Sequence, residues 1–217
     1  MRLTQNDFNQ PAVALAKYLL GKVICHNYQG IWLKAQIIET ESYELEDKAS
    51  HASLGFTEKR KALFMPPGTI YMYYARGGDS LNASAKGAGN AVLIKSAIFY
   101  PKADNIDKML DIMHDLNPLS DGQKRQTKKL LSGQTLLCKA LGLKVKDWDQ
   151  QQFNSVFFIE DAGVSVNEII QTTRLGIATH RDADLLYRFI DKRYAHLCTK
   201  NPLTVRRQAP YLVMENK

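Results

Sequence analysis

The thirteen-residue run IWLKAQIIETESY, residues 31–43, constrains this chain more than any other stretch. Rich in β-branched and aromatic residues, it follows a second β-prone run, KVICH, and the turn-rich tetrad Asn27-Tyr28-Gln29-Gly30, so the two runs predict a hairpin. The second strand ends in acid. Ile37–His51, IIETESYELEDKASH, holds Glu39, Glu41, Glu44, Glu46 and Asp47, with Glu58 soon after, in a chain whose formal net charge is +7. Along an extended strand residues two apart share a face, so Ile37, Glu39, Glu41 and Tyr43 are expected to point one way and Ile38, Thr40 and Ser42 the other. A carboxylate is thereby aligned with an aromatic ring. Glu44, Glu46 and Asp47 are expected at a solvated strand end, paired with neighbouring lysines.

At 217 residues and 45% hydrophobic content, the chain can build one large core or two small ones. The remaining segments favour one. Pro11, the apolar stripe Val13, Leu15, Ala16, Leu19 and Leu20, and Gly21 predict a short helix. TIYMYYA and NAVLIKSAIF predict strands around a glycine-rich bend, ARGGDSLNASAKGAG. ADNIDKMLDIMHDL and SGQTLLCKALGL predict helices, the second capped by Ser132. SVFFIED and TTRLGIA read as later strands and RDADLLYRFI as a final helix. Strands and helices mix without βαβ alternation. The expectation is a single α+β domain over residues 1–217, with a curved, largely antiparallel sheet and surrounding helices.

Cys25, Cys138 and Cys198 are widely spaced, with no C-x-x-C pair, which fits a reducing compartment. No stretch reads as a signal peptide or membrane span, so a soluble, cytoplasmic protein is expected, at the nucleoid if the source is bacterial. His26, His51, His114, His180 and His196 are scattered without ligand spacing, so neither metal nor other cofactor is expected. The excess of 29 Lys and Arg over 22 Asp and Glu is compatible with a polyanionic partner without requiring one.

Chemistry has three candidate sources. Glu41 is the first. In GTIYMYYA, Tyr71 and Tyr73 share one strand face, and Met72 and Tyr74 the other. In AVLIKSAIF, Lys95 falls on the face of Leu93, Ala97 and Phe99, where a charge needs a partner, and Glu41 is the natural one.

Taken in order, QPAVALAKYLLGKV, IIETESY, ASH, FMPPGTIYMYY, LNAS, AVLIKSAIFYP, SGQTLLCKALGL and TRLGIATH resemble the alkyladenine (3-methyladenine) DNA glycosylases of the mammalian type, over residues 3 to 200. The discriminating combination is E-T-E-x-Y, a His, then M-x-P-G-T-x-Y-x-Y. Such enzymes hydrolyse the N-glycosidic bond of damaged purines after rotating the nucleotide out of double-stranded DNA. The resemblance implies that Glu41 is the catalytic glutamate activating water. Tyr43, His51 and Tyr73 match base-contacting positions, and Asn82 matches an Asn set against the purine edge. A monomeric, monofunctional hydrolase is the resulting expectation.

There are two departures from the family pattern. Lys95 stands where the family commonly has an Arg beside the glutamate, keeping the charge and losing the planar fork. A neutral Lys95 would instead attack the sugar through a Schiff base, giving a glycosylase with lyase activity. The hairpin segment YYARGGDSLN is also one residue shorter than the family's, leaving Tyr74 or Arg76 as the wedge that fills the vacated stack. Lys59, Arg60 and Lys61, with Arg181, Lys192 and Arg193, are the expected phosphate contacts. A catalytically silent damaged-DNA-binding protein is the remaining alternative.

Overall fold

A computed structural model describes residues 1–75, 77–204 and 210–216. Two short helices, α1 (Gln5–Phe8) and α2 (Ala12–Tyr18), precede the hairpin of β1 (Val23–Tyr28) and β2 (Ile31–Tyr43). Gln29 and Gly30 both take positive φ, the geometry of a two-residue hairpin turn whose twist matches the strands. β3 (Ile70–Ala75), β4 (Gly78–Ser84) and β5 (Ala91–Phe99) follow. Then come α3 (Ile106–Leu116), α4 (Gln134–Ala140), α5 (Val145–Trp148), β6 (Phe157–Glu160), β7 (Glu168–Thr172), β8 (Arg188–Asp191) and β9 (Tyr211–Glu215).

Among the described residues the strands form one open sheet in the order β3-β4-β5-β2-β8-β7-β9, with β1 pairing β2 and β6 pairing β1. Every pairing is antiparallel. β2 is the hub. β5 runs along one edge of it, and the other edge is shared between β1 on its first half and β8 at Glu39–Glu41. The α+β class read from the sequence holds.

Strict alternation along β2 does not hold. Its register against β5 slips between Ile37 and Glu39 and again between Glu39 and Thr40, the mark of a bulge. Ile37 lies in the main core, whereas Ile38 joins a second cluster with Ile170, Ile190, Ala195 and Cys198. The hydroxyl of Thr40 donates to the Ala16 carbonyl at 2.8 Å, fastening β2 to α2. The same slip moves Ala97 into the main core with Val92 and Ile94, so it does not share the face of Leu93 and Lys95 as expected.

Four other expectations change. ARGGDSLNASAKGAG is more than a bend, because it contains β4, whose residues are all buried. TTRLGIA is largely loop after β7. RDADLLYRFI is turn followed by β8: backbone pairing with both β2 and β7 overrides its local helix propensity. Gly133, not Ser132, precedes α4, and the Ser132 hydroxyl donates to Leu197 O at 2.6 Å.

Small residues let α4 lie close against β4. A Cβ added at Gly78 would stand 2.7 Å from Cβ of Thr135. Gly78→Ala is expected to lower stability by about 1–3 kcal/mol through overpacking, read as a lower urea midpoint at unchanged slope.

Candidate active site

The strands deliver their side chains to one cleft. β3 turns Tyr71 and Tyr73 into it and sends Met72 to the core, as its period of two requires. β4 sets Asn82 directly across from Tyr71, and the Asn82 amide donates to the Tyr71 carbonyl at 3.0 Å. β5 supplies Leu93 and Lys95, and β2 supplies Tyr43. The acid-rich turn after β2 brings Ser50 and His51, α4 contributes Gln134, and the loop after β7 adds Leu175, Gly176, Ile177 and Arg181. The space they enclose is about 210 Å³. That is roughly ten or more times the volume that admits one water.

Aromatic rings dominate one wall. His51 Nδ1 is 2.8 Å from the Tyr71 hydroxyl, and the His51 ring centroid lies 4.6 Å from that of Tyr73. Although His51 shows an open face, burial of the remainder lowers its pKa, aided by Arg60 and Arg181, which favours the neutral ring. Burial raises the pKa of the Tyr71 hydroxyl.

Glu41 lies behind this wall. It is fully buried and is not itself a cleft residue, although the resemblance makes it the catalytic glutamate. Tyr43 donates its hydroxyl to Glu41 Oε2 at 2.7 Å. Lys95 Nζ stands 3.2 Å from Oε1, close enough for an ion pair but outside hydrogen-bond geometry, so Oε1 has no directed donor among the described residues. Both partners do line the cleft, one side chain away from the carboxylate. Burial, then the charge and hydrogen bond of Glu41, push the Tyr43 pKa well up, so this phenol remains a donor.

The other acids divide sharply. Glu46 is exposed, as expected. Glu44 accepts from the Tyr187 hydroxyl at 2.8 Å rather than from a lysine. Asp47, expected on the surface, is buried, because Arg174 on the loop after β7 takes both its carboxylate oxygens. Nη1 of Arg174 also reaches the Ser42 carbonyl at 3.1 Å. Glu39 is buried too, bonded by Ser96 and by Arg188 Nε at 2.6 Å.

Among the residues expected to grip DNA, Lys59 is exposed and Arg60 donates to the carbonyls of Leu54 and Gly55, at 3.2 and 3.1 Å. Arg181 donates to Lys48 O at 2.8 Å while lining the cleft. Lys192 and Arg193 are instead committed to Glu168 and Asp191. Tyr74 is 69% exposed on the strand face opposite Tyr71 and Tyr73, and Arg76 lies outside the described residues. Sequence reasoning did not place Ser50, Gln134, Leu175–Ile177 or Arg174 in or behind the site.

A family model described as methylpurine-DNA glycosylase matches residues 6–195. A protein of Pseudomonas fluorescens (strain Pf0-1), provisionally named 3-methyladenine DNA glycosylase, is 57% identical over 199 residues, covering 90% of this chain and 85% of its own. One from Pseudomonas aeruginosa (strain UCBPP-PA14) with the same name is 56% identical over 204 residues, 93% of this chain and 84% of its own. A more distant protein of that name, from Clostridium botulinum (strain Langeland), is 34% identical over 207 residues, 92% of this chain and all of its own.

Removing one partner of a buried ion pair leaves an uncompensated charge. Asp47→Ala is therefore expected to cost about 3–5 kcal/mol in chemical denaturation, and Asp47→Asn combined with Arg174→Gln distinctly less.

Proposed function

The chain belongs to the methylpurine-DNA glycosylase family and is a monofunctional DNA-repair glycosylase; from that premise we propose that it excises alkylated or deaminated purines with a water activated by Glu41. Extrusion of a nucleotide costs a few kcal/mol of stacking and pairing, which aromatic contacts in a pocket offset. Tyr43, Tyr73 and His51 line the cleft and are the groups proposed to stack on the extruded base, with Asn82 against its edge.

Alkylation at N3 or N7 makes the purine cationic and a good leaving group, so the reaction needs little acid. It needs a base and a negative field. As the bond to the sugar lengthens, positive charge develops at C1′, and a buried carboxylate stabilises it while taking a proton from the attacking water. The observation that carries this reading is the state of Glu41. Oε2 is fixed by Tyr43, and Oε1 lies beside Lys95, a side chain of the cleft wall, without a directed donor among the described residues. Lys95 then gates and orients the approach of water to Oε1. With its ammonium engaged by the carboxylate, Lys95 acts here as a counterion and not as a nucleophile, in keeping with hydrolysis and against a lyase step.

Phosphate contacts are assigned to Arg181, which lines the cleft, and to Lys59 and Arg60, and Tyr74 is the exposed aromatic on the hairpin able to enter the duplex.

Base release from methylated duplex DNA, under single-turnover conditions, tests the proposal. Glu41→Gln is expected to slow release by roughly 10²–10⁴-fold while sparing duplex binding. Undiminished release by Glu41→Gln ends the mechanism, and no release by the parent protein favours a silent binder. Lys95→Arg is expected to retain release. Lys95→Ala, which strands a buried carboxylate, is expected to lose release and about 3–5 kcal/mol of stability. Borohydride is expected to trap no covalent protein–DNA adduct.

A further inference from the structure

Arg174, packed against Tyr43, holds the buried Asp47 and takes no direct part in the stacking proposed for that ring. Arg174 is buried and does not reach the cleft, although Leu175, Gly176 and Ile177 after it do. Its guanidinium carbon lies 4.6 Å from the centroid of the Tyr43 ring and 5.4 Å from that of Tyr187. Its two terminal nitrogens are bonded to Asp47 and to the carbonyls of Ser42 and Asp182, while Nε has no hydrogen-bond partner among the described residues. Leaving a buried N–H unpaired is costly, so contact with the rings has to help fix this orientation.

Tyr43 lines the cleft while a fixed cation stands over its ring and its hydroxyl donates to the Glu41 carboxylate. A cation already engaged by an aromatic ring weakens the attraction of that ring for a second one, and the two repel each other in a poorly screened interior, less the share that Asp47 takes as the partner of Arg174.

We infer that Arg174 is a specificity-determining residue, which holds down the preference of the cleft for cationic purine lesions and so keeps neutral ones competitive. This rests on the stacking role proposed for Tyr43. A neutral lesion such as hypoxanthine meets the Tyr43 ring without that repulsion, whereas 7-methylguanine meets the part that Asp47 leaves uncompensated. Arg174 acts through Tyr43 and touches no reacting atom, so it is a positioning residue and not a catalytic one.

The test is a ratio. Single-turnover release is measured for one duplex holding 7-methylguanine and one holding hypoxanthine, in the same protein preparation, so the fraction folded cancels. The neutral pair Asp47→Asn with Arg174→Gln is expected to raise the cationic-to-neutral ratio about two- to tenfold. Arg174→Lys, which keeps a charge behind the ring, is expected to stay within about twofold of the parent ratio. An unchanged or lower ratio in the neutral pair overturns the inference. So does an equal shift in Arg174→Lys, which would make the effect one of packing. Where turnover of the neutral pair is too slow, affinities for the two duplexes in the Glu41→Gln background give the same ratio. Tyr43→Leu separates the two failures. Parental rates in that variant overturn the stacking assignment itself, and lowered rates alongside an unmoved ratio in the neutral pair overturn the role of Arg174 alone.

Discussion

The Glu41 carboxylate is held out of solvent between an ammonium and a phenol, and the rest of the site is arranged around that contact. Moving an ion out of water costs several kcal/mol, which attraction to a partner repays only when geometry is good. The chain accepts this repeatedly along one strand and the turn that follows it. Glu39 meets Arg188, Glu41 meets Lys95, and Asp47 meets Arg174. These pairs tie β2 to β8, to β5 and to the loop after β7, so the same contacts that hold charge inside also position the cleft walls. The double slip in register at Glu39 makes room for this, because two acids and an aromatic cannot all be served by a regular alternating strand.

Much of this was legible in the residues. The hairpin of β1 and β2, the inward pair Tyr71 and Tyr73, and the partnership of Glu41 with Lys95 follow from strand periodicity and from the cost of an unpaired buried charge. The motif combination around them gave the family. Illegible were features decided over long sequence distances. Asp47 looks like one more surface acid until Arg174, far along the chain, is brought against it. The strand β8 looks helical by composition and is fixed only by pairing on both sides. A bulge leaves no mark in the pattern, and it moved Ala97 from the face of Lys95 to the core. The depth of Glu41 was likewise invisible, since alternation tells which way a side chain points and not how much covers it.

Depth has a functional consequence. A carboxylate one side chain behind the wall is insulated from bulk water, so in the proposed mechanism its field would act on the sugar with little screening, and Lys95 and Tyr43, which line the cleft in front of it, would govern access. The proposed mechanism divides selectivity and reactivity between layers: the rings and Asn82 would receive the base, and the buried charges behind them would act on the bond. By the inference drawn above, Arg174, over the ring of Tyr43, would couple the two.

The central claim is that the negative charge of Glu41 acts on a developing sugar cation. Affinity for a duplex holding a cationic pyrrolidine abasic analogue, compared with one holding the uncharged tetrahydrofuran analogue, measures that charge without any turnover. If Glu41 acts as described, Glu41→Gln weakens binding of the cationic analogue by at least about tenfold and leaves the uncharged one nearly unaffected. Equal affinities for both analogues, unchanged by the substitution, would contradict it.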